Sequence, residues 1–323
     1  MKREPFVAAR EARWIRLEDL LAQLRSVRRN AAPKDVAELP AAYRRVCQDL
    51  ALARRRMYGR ELTERLNRLA LAGREQLYRL PARFAQRAID FIAAEFPRKV
   101  REEARLFWLA TAAFLVPALA VAAIALTRPD LLYALVDAEQ LHEAERMYDP
   151  ANGGVTELRD AGGNVKMFAF YIYNNVGIDF RTFAGGFLFG VGSLAVLVFN
   201  GIHLGAIVGH FLHIGYETTL LPFVVGHSSL ELTAMLIAGV AGLRLGSALL
   251  APGRRSRGRA MVEVAPHCLQ LLVGAGGMTA LAAFIEGFWS AQPLPDSVKY
   301  AVGAVLWSAV ATYFVFAGRR RAA

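Results

Sequence analysis

The chain has 323 residues, 55% of them hydrophobic, a mean hydropathy of +0.28 and a formal net charge of +11. The apolar residues fall in long uncharged runs, which excludes a soluble domain with a dispersed core and is typical of membrane spans. Two cysteines, Cys47 and Cys268, exclude a disulfide framework, so we expect free thiols. Residues 1–30 are charged throughout and lack the apolar central stretch of a signal peptide.

Residues 1–106 are predicted to form a cytoplasmic helical domain. They carry 25 Lys and Arg against 14 Asp and Glu. The basic stretch "LARRRMYGR" would suit nucleic acid, but basic residues interleaved with Glu are typical of solvated helix faces. The run "PRKVREEAR" directly precedes an apolar segment, where anionic lipid headgroups attract it. We therefore expect the lipid bilayer as a partner and no nucleic acid.

Apolar residues at helical spacing give this domain its predicted core. Breaks are predicted at residues 31–40 and at Arg79–Pro81, where proline interrupts the pattern. The predicted stripe consists of Trp14, Leu17, Leu21, Leu24, Tyr43, Val46, Leu50, Met57, Leu62, Leu66, Leu69, Phe84, Ala88 and Phe91.

The first transmembrane helix is predicted at residues 107–127. Phe107–Leu126 has 20 uncharged residues, enough to cross a hydrocarbon core of about 30 Å. Residues 128–181 carry nine acidic and five basic residues and are predicted outside. They are expected to hold two helices on the outer surface, around Leu131–Met147 and Val165–Val176.

Residues 182–323 are predicted to form a glycine-rich multi-span bundle. Thr182–Tyr216 has 35 uncharged residues, too many for one crossing, and Asn200–Gly201 is a turn signal. We therefore predict spans at 182–199 and 201–216, the second either crossing or re-entering. Further spans are predicted at 229–250, 264–286 and 299–317.

Six crossings satisfy the positive-inside rule. They leave the Arg-rich segment Gly253–Arg259, the terminal Gly318–Arg321 and residues 1–106 on the cytoplasmic side. The predicted fold is thus an all-α polytopic membrane helix bundle of about six spans, with both termini cytoplasmic. Glycines at four-residue spacing, at 201, 205 and 209, predict closely packed helices.

His227 and Glu231 lie four residues apart at the predicted outer end of the fourth span. In a structural interpretation, Ser228 or Ser229 caps the helix start and Glu231 lies in its first turn. A second interpretation is a proton or cation site, because intramembrane acids are costly and usually functional. Glu286 is expected to reach the headgroups at the outer end of the fifth span.

Two further interpretations of the pair stay open. His227 and Glu231 would form a zinc site with His203, His210 or His213, although no HExxH motif supports it. The alternative is a docking site for a partner protein.

Several short motifs occur in an order that resembles the stage II sporulation protein M family of bacterial inner-membrane proteins. They are "YIYNNVGIDFRTFAGGFLFGVGSLAVLVFNGIHLGAIVG", "GHSSLELTAMLIAGVAGLRLG" and "APGRRSRGRA", within about residues 85–285. Ser228 departs from the glycine usual in the family. The resemblance singles out six residues as functional candidates: Asn174, Asn175, Asn200, Gly201, His227 and Glu231.

The resemblance implies a non-enzymatic membrane scaffold. In spore formers the family member holds cell-wall-degrading partners, and other relatives are often encoded near a MoxR-type ATPase. We therefore expect peptidoglycan-remodelling or ATPase-linked envelope partners. A homo-oligomer is also compatible with the resemblance. The alternative is a small-solute or ion transporter or channel using the His227/Glu231 region, and the third is an intramembrane metal-dependent hydrolase. No cofactor motif, phosphate loop or GxSxG sequence is present.

Overall fold

The computed structural model describes residues 3–26, 33–152 and 161–319. In these ranges the chain forms α-helices joined by short 3-10 and π-helical segments, without a β-strand. The chain divides into two compact units, Met1–Asp90 and Phe91–Ala323. The all-α class is confirmed, and the division falls at Asp90 rather than at residue 106.

The N-terminal unit has its own apolar core. Its helices are α1 (Arg3–Ala8), α2 (Glu11–Ser26), α3 (Pro33–Arg55) and α4 (Arg60–Asp90). The core consists of Phe6, Trp14, Leu17, Leu21, Leu39, Val46, Leu50, Ala53, Tyr58, Leu62, Leu66 and Leu69. Most of the predicted stripe is therefore buried, because its helical spacing sets one face of each helix against the others.

Some details of the N-terminal prediction are wrong. Met57 is 89% exposed and has a φ of +51°, because it lies in the turn after α3 rather than on a helix face. Helix α4 continues through Arg79–Pro81, and Ala88 on it is exposed. The side chains of Leu24 and Phe84 lie outside the described residues.

The second unit is built around one long central helix. Its α-helices are α5 (Phe96–Glu102), α6 (Ala104–Thr127), α7 (Ala138–Tyr148), α8 (Ala161–Ala184), α9 (Val191–Ile214), α10 (Glu217–Leu250), α11 (Arg257–Ile285) and α12 (Asp296–Phe316). Helix α10 contacts α6, α8, α9, α11 and α12. Within the described residues, five helices are long and apolar enough to cross a membrane: α6, α9, α10, α11 with its continuation to Ser290, and α12. The spans predicted at 107–127, 264–286 and 299–317 coincide with α6, α11 and α12.

The break predicted at Asn200–Gly201 is wrong, because α9 runs through it without interruption. The Asn200 amide donates to the Val196 carbonyl oxygen inside the helix, at 2.8 Å. A methyl group at Gly201 would lie 2.2 Å from the carbonyl oxygen of Phe114. Glycine is therefore needed here for close contact with α6, not for a turn.

The chain reverses instead at residues 185–190, between α8 and α9. Gly185–Phe187 forms a 3-10 turn, and Phe189 and Gly190 have φ values of +56° and +85°. A methyl group at Gly186 would lie 2.3 Å from the Gly242 carbonyl oxygen of α10. The turn is thus pressed against α10 where only glycine fits.

Helices α6 and α9 run parallel to each other. Gly201, Gly205 and Gly209 approach Phe114, Ala118 and Ala122 in that order, with a methyl group at Gly205 lying 2.2 Å from the Ala118 carbonyl oxygen. Because both helices point the same way, the chain between them must return to the end at which α6 starts. Helix α8 makes this return, packed against α10 and α11.

The segment between α6 and α9 therefore differs from the prediction. Val165–Val176 belongs to α8 and lies in the bundle rather than on its surface. The first predicted helix is shorter than expected: a 3-10 turn at Pro129–Ala134 precedes α7. Asp137 caps α7 by accepting from the backbone N–H of Glu139, at 2.8 Å.

Candidate functional site

Glu231 lies inside α10 and not at a helix start. Because α10 begins at Glu217, the carboxylate is 14 residues, or about 21 Å, along the helix. Ser228 and Ser229 are buried within the same helix, so neither is a cap. The capping interpretation is wrong: Pro222 does not end the helix, and the residues before His227 extend it.

A cavity of about 300 Å³ opens beside Glu231. Its wall is mainly apolar, and the polar groups among its lining residues include those of Asn175, Asn200, His203 and Glu231. Among the described residues, no hydrogen bond reaches the Glu231 carboxylate. An apolar pocket with a few converging polar groups is typical of a small-molecule site.

Only some of the other candidate residues line this cavity. Asn174 does not line it, but its amide donates to the Asn175 side-chain oxygen at 2.9 Å. Gly201 packs against the backbone of α6. The structure thus brings Asn175, Asn200 and Glu231 together, and Gly201 has a packing role.

A second buried acid, Asp179, lies one helical turn after Asn175 on α8. It is 3% exposed and accepts a hydrogen bond from the Thr279 hydroxyl of α11 at 2.5 Å. Its carboxyl group is close enough to Glu231 for the two to interact electrostatically. Three helices therefore direct polar side chains to one region of the bundle.

His227 faces Glu286 and Ser290, which follow α11. The imidazole is 5% exposed; its Nδ1 lies 3.1 Å from Ser290 Oγ, and its Nε2 lies 3.9 Å from Glu286 Oε1. Glu286 is 8% exposed, so the expectation that it reaches the headgroups is wrong. The ammonium of Lys299, also buried, donates to the Ser290 carbonyl oxygen at 3.1 Å.

A π-helical segment, Glu286–Ser290, positions these groups against α10. Such segments are rare and often occur at functional sites. Trp289 in this segment covers Gly226, where a methyl group would lie 2.4 Å from the indole ring. This contact fixes the separation between the π-helical segment and the helical turn that carries His227.

The histidines on α9 do not join this group, so the predicted metal grouping is wrong. His210 Nε2 lies 2.6 Å from Glu145 Oε1 and ties α9 to α7. His203 lines the cavity wall, and His213 is exposed. In the described part of the chain, the group with ligand atoms within 4.8 Å of one another is His227, Glu231 and Glu286.

A separate ionic cluster lies at the other end of α10. Arg244 Nε and His267 Nε2 each lie 3.1 Å from Glu103 Oε1, and Lys99 Nζ lies 3.3 Å from His267 Nδ1. Arg244 is thus paired with Glu103 although it lies on an apolar helix. These residues link α5, the junction between α5 and α6 at Glu103, α10 and α11.

Sequence reasoning missed Asp179, Thr279 and Ser290 as part of the site. The available signal was the four-residue spacing of Asn175 and Asp179, which places both on one helical face. The prediction put the helix on the surface and its end at the wrong residue, so this spacing was not used. Ser290 and Thr279 carry no local signal, because each acquires its role from a helix distant in sequence.

Comparisons with known proteins divide the chain in a similar way. A family model described as Stage II sporulation protein M matches residues 104–291. A model described as a domain of unknown function matches residues 4–79. An uncharacterized protein of Methanocaldococcus jannaschii is 30% identical over 79 residues, which cover 24% of this chain and 44% of that protein. No solved structure matches.

Proposed function

The chain belongs to the stage II sporulation protein M family, and we propose that its membrane unit binds a small cation or polar solute at Glu231 and moves it across the membrane. The observation that carries the proposal is the Glu231 carboxylate facing a cavity of about 300 Å³ inside the bundle. From the sequence, a structural capping role for Glu231 came first and a proton or cation site came second. Because the structure removes the capping role, the proton or cation site becomes the leading interpretation of Glu231.

The cost of burying acids supports this function. A charged group in a membrane span costs at least about 2.5–3.5 kcal/mol, and such groups usually mark ion or substrate paths. Asp179 is held by Thr279, but no hydrogen bond reaches Glu231 from the described residues. A bound cation, or a solute that donates a hydrogen bond, would be a partner for the Glu231 carboxylate.

The membrane topology is part of this proposal. Because α6 and α9 are parallel, α8 serves as a sixth crossing beside the five apolar helices. The Arg-rich segment Gly253–Arg259 then lies on the same side as the start of α6, which the positive-inside rule makes cytoplasmic. We propose a bacterial inner-membrane location with both termini in the cytoplasm.

Flux through proteoliposomes tests the proposed transport. The purified chain is reconstituted, and proton, Na⁺ and Zn²⁺ entry are each followed with an entrapped dye. We expect flux of at least one probe with wild-type protein and its loss in Glu231→Gln, which keeps the side-chain shape. Glu143→Gln, an exposed acid on α7, is the matched control and should behave as wild type.

Two results would contradict the transport function. One is flux in Glu231→Gln equal to wild type. The other is wild-type flux no faster than in protein-free liposomes for all three probes, with circular dichroism showing that the reconstituted protein is folded.

A second candidate function is a membrane scaffold for envelope partners. It is favoured by the N-terminal unit, which has a core of its own and matches a separate domain model over residues 4–79. A cytoplasmic unit of this kind is suited to docking a partner on the same side of the membrane, such as a MoxR-type ATPase. We expect the full chain to retrieve such a partner from membranes and a chain lacking residues 1–90 to lose it; equal retrieval by both would contradict a docking role for this unit.

A further inference from the structure

We propose that His227, Glu231 and Glu286 form a binding site for a divalent transition-metal cation of the zinc class. Their ligand atoms all lie within 4.8 Å of one another, although the residues come from α10 and from the π-helical segment after α11. The metal site rests on the proposed function in one respect. The proposed function has a cation or solute bind at Glu231, and the metal site gives the chemical class of that cation.

The spacing of the group suits a shared cation better than a direct hydrogen bond. The 3.9 Å between His227 Nε2 and Glu286 Oε1 exceeds hydrogen-bond range. Two ligands of a tetrahedral zinc ion, each about 2.0–2.1 Å from the metal, lie about 3.3 Å apart. Small side-chain rotations are enough to close the group around one ion.

The imidazole is oriented as in many metal sites. Ser290 Oγ, fully buried, lies 3.1 Å from His227 Nδ1 and can accept a hydrogen bond from the Nδ1–H, which leaves the Nε2 lone pair facing Glu286. The ring of Phe223 packs edge-on against the imidazole at 5.4 Å and restricts its rotation. Ser290 is therefore assigned as a positioning residue for the His227 ligand.

The donor set selects the metal class. One imidazole nitrogen and two carboxylate oxygens suit Zn²⁺, Mn²⁺ or Fe²⁺, whereas Mg²⁺ and Ca²⁺ prefer oxygen ligands alone. Three protein ligands leave a coordination position open. Glu231 also lines the cavity, so the open position has access to it.

The charge around the group also favours a cation. Asp179 adds a carboxyl group near Glu231. The opposing charge is Lys299, whose ammonium donates to the Ser290 carbonyl oxygen. A bound cation would stabilise the ionised form of these carboxyl groups, because buried charges in proteins are paired or coordinate metals.

Metal titration of the full chain tests the assignment. The detergent-purified protein is stripped with a chelator and titrated with Zn²⁺ by calorimetry, and with Co²⁺ by its visible absorption. We expect one ion per chain, a loss of affinity of at least about 100-fold in His227→Ala and Glu286→Gln, and about 10- to 100-fold in Ser290→Ala. His213→Ala, an exposed histidine on α9 outside both the group and the cavity wall, is the matched control and should bind as wild type.

The melting temperature of each variant establishes that it is folded. Absence of stoichiometric binding in the wild type would overturn the site, as would equal binding by His227→Ala and wild type. Glu231-dependent proton or Na⁺ flux without Zn²⁺ binding would overturn the metal site and leave the transport function standing. Stoichiometric Zn²⁺ binding without any flux would support the site and overturn transport.

Discussion

Replacing Gly205 by alanine measures how much the close contact between α6 and α9 contributes to stability. The added methyl group would lie 2.2 Å from the Ala118 carbonyl oxygen, well inside ordinary contact distance. The helices must separate by about 1 Å to accept it, and overpacking of this kind costs about 1–3 kcal/mol. Alanine also gains about 0.5–1 kcal/mol in helix propensity over glycine.

Gly276→Ala in α11 isolates the packing contribution. A methyl group at Gly276 would meet no atom within 4 Å, so this variant gains the same propensity without a clash. We expect Gly205→Ala to be less stable than Gly276→Ala by about 1–3 kcal/mol, measured by thermal unfolding of the full chain in detergent. Equal melting temperatures for the two variants would refute a tightly packed interface between α6 and α9.

Two other predictions address the topology and the N-terminal unit. Reporters inserted after Leu188 and after Arg259 should both read cytoplasmic and one at Asn152 periplasmic, since the proposed topology makes α8 a membrane crossing. A periplasmic signal after Leu188 would contradict that topology. Trp14→Phe removes the hydrogen bond from the indole N–H to Asp49 Oδ2 at 3.0 Å. We expect it to destabilise the N-terminal unit by about 1–3 kcal/mol, measured by urea-dependent proteolysis of the full chain. Unchanged resistance to the protease would contradict a stabilising role for this bond.

The chain sequence was sufficient for the class of protein and for most of its helices. The apolar run Phe107–Leu126 is long enough to dictate α6, and no partner is needed to recognise it. In the N-terminal unit, the spacing of Trp14, Leu17 and Leu21 places one face of α2 in the core. These features depend on residues a few positions apart, so the amino-acid sequence is enough to recognise them.

The position of the chain reversal required the tertiary structure. Asn200–Gly201 and Gly185–Gly186 are equally plausible turns from their composition, since glycine serves both turns and close packing. The choice is made by the carbonyl of Phe114, which needs a glycine beside it inside α9. That need arises on another helix and leaves no local mark at Gly201.

For the same reason, the sequence identified only part of the candidate site. His227 and Glu231 share a face of one helix, so their four-residue spacing identified them as a pair. Their partners Glu286 and Ser290 come from a π-helical segment, and Ser290 is 63 residues from His227 in sequence. Whether Glu231 is a cap or an acid facing a cavity depends on the start of α10 at Glu217 and on the helices packed around it. Local spacing set the pair, and packing between distant helices decided its environment.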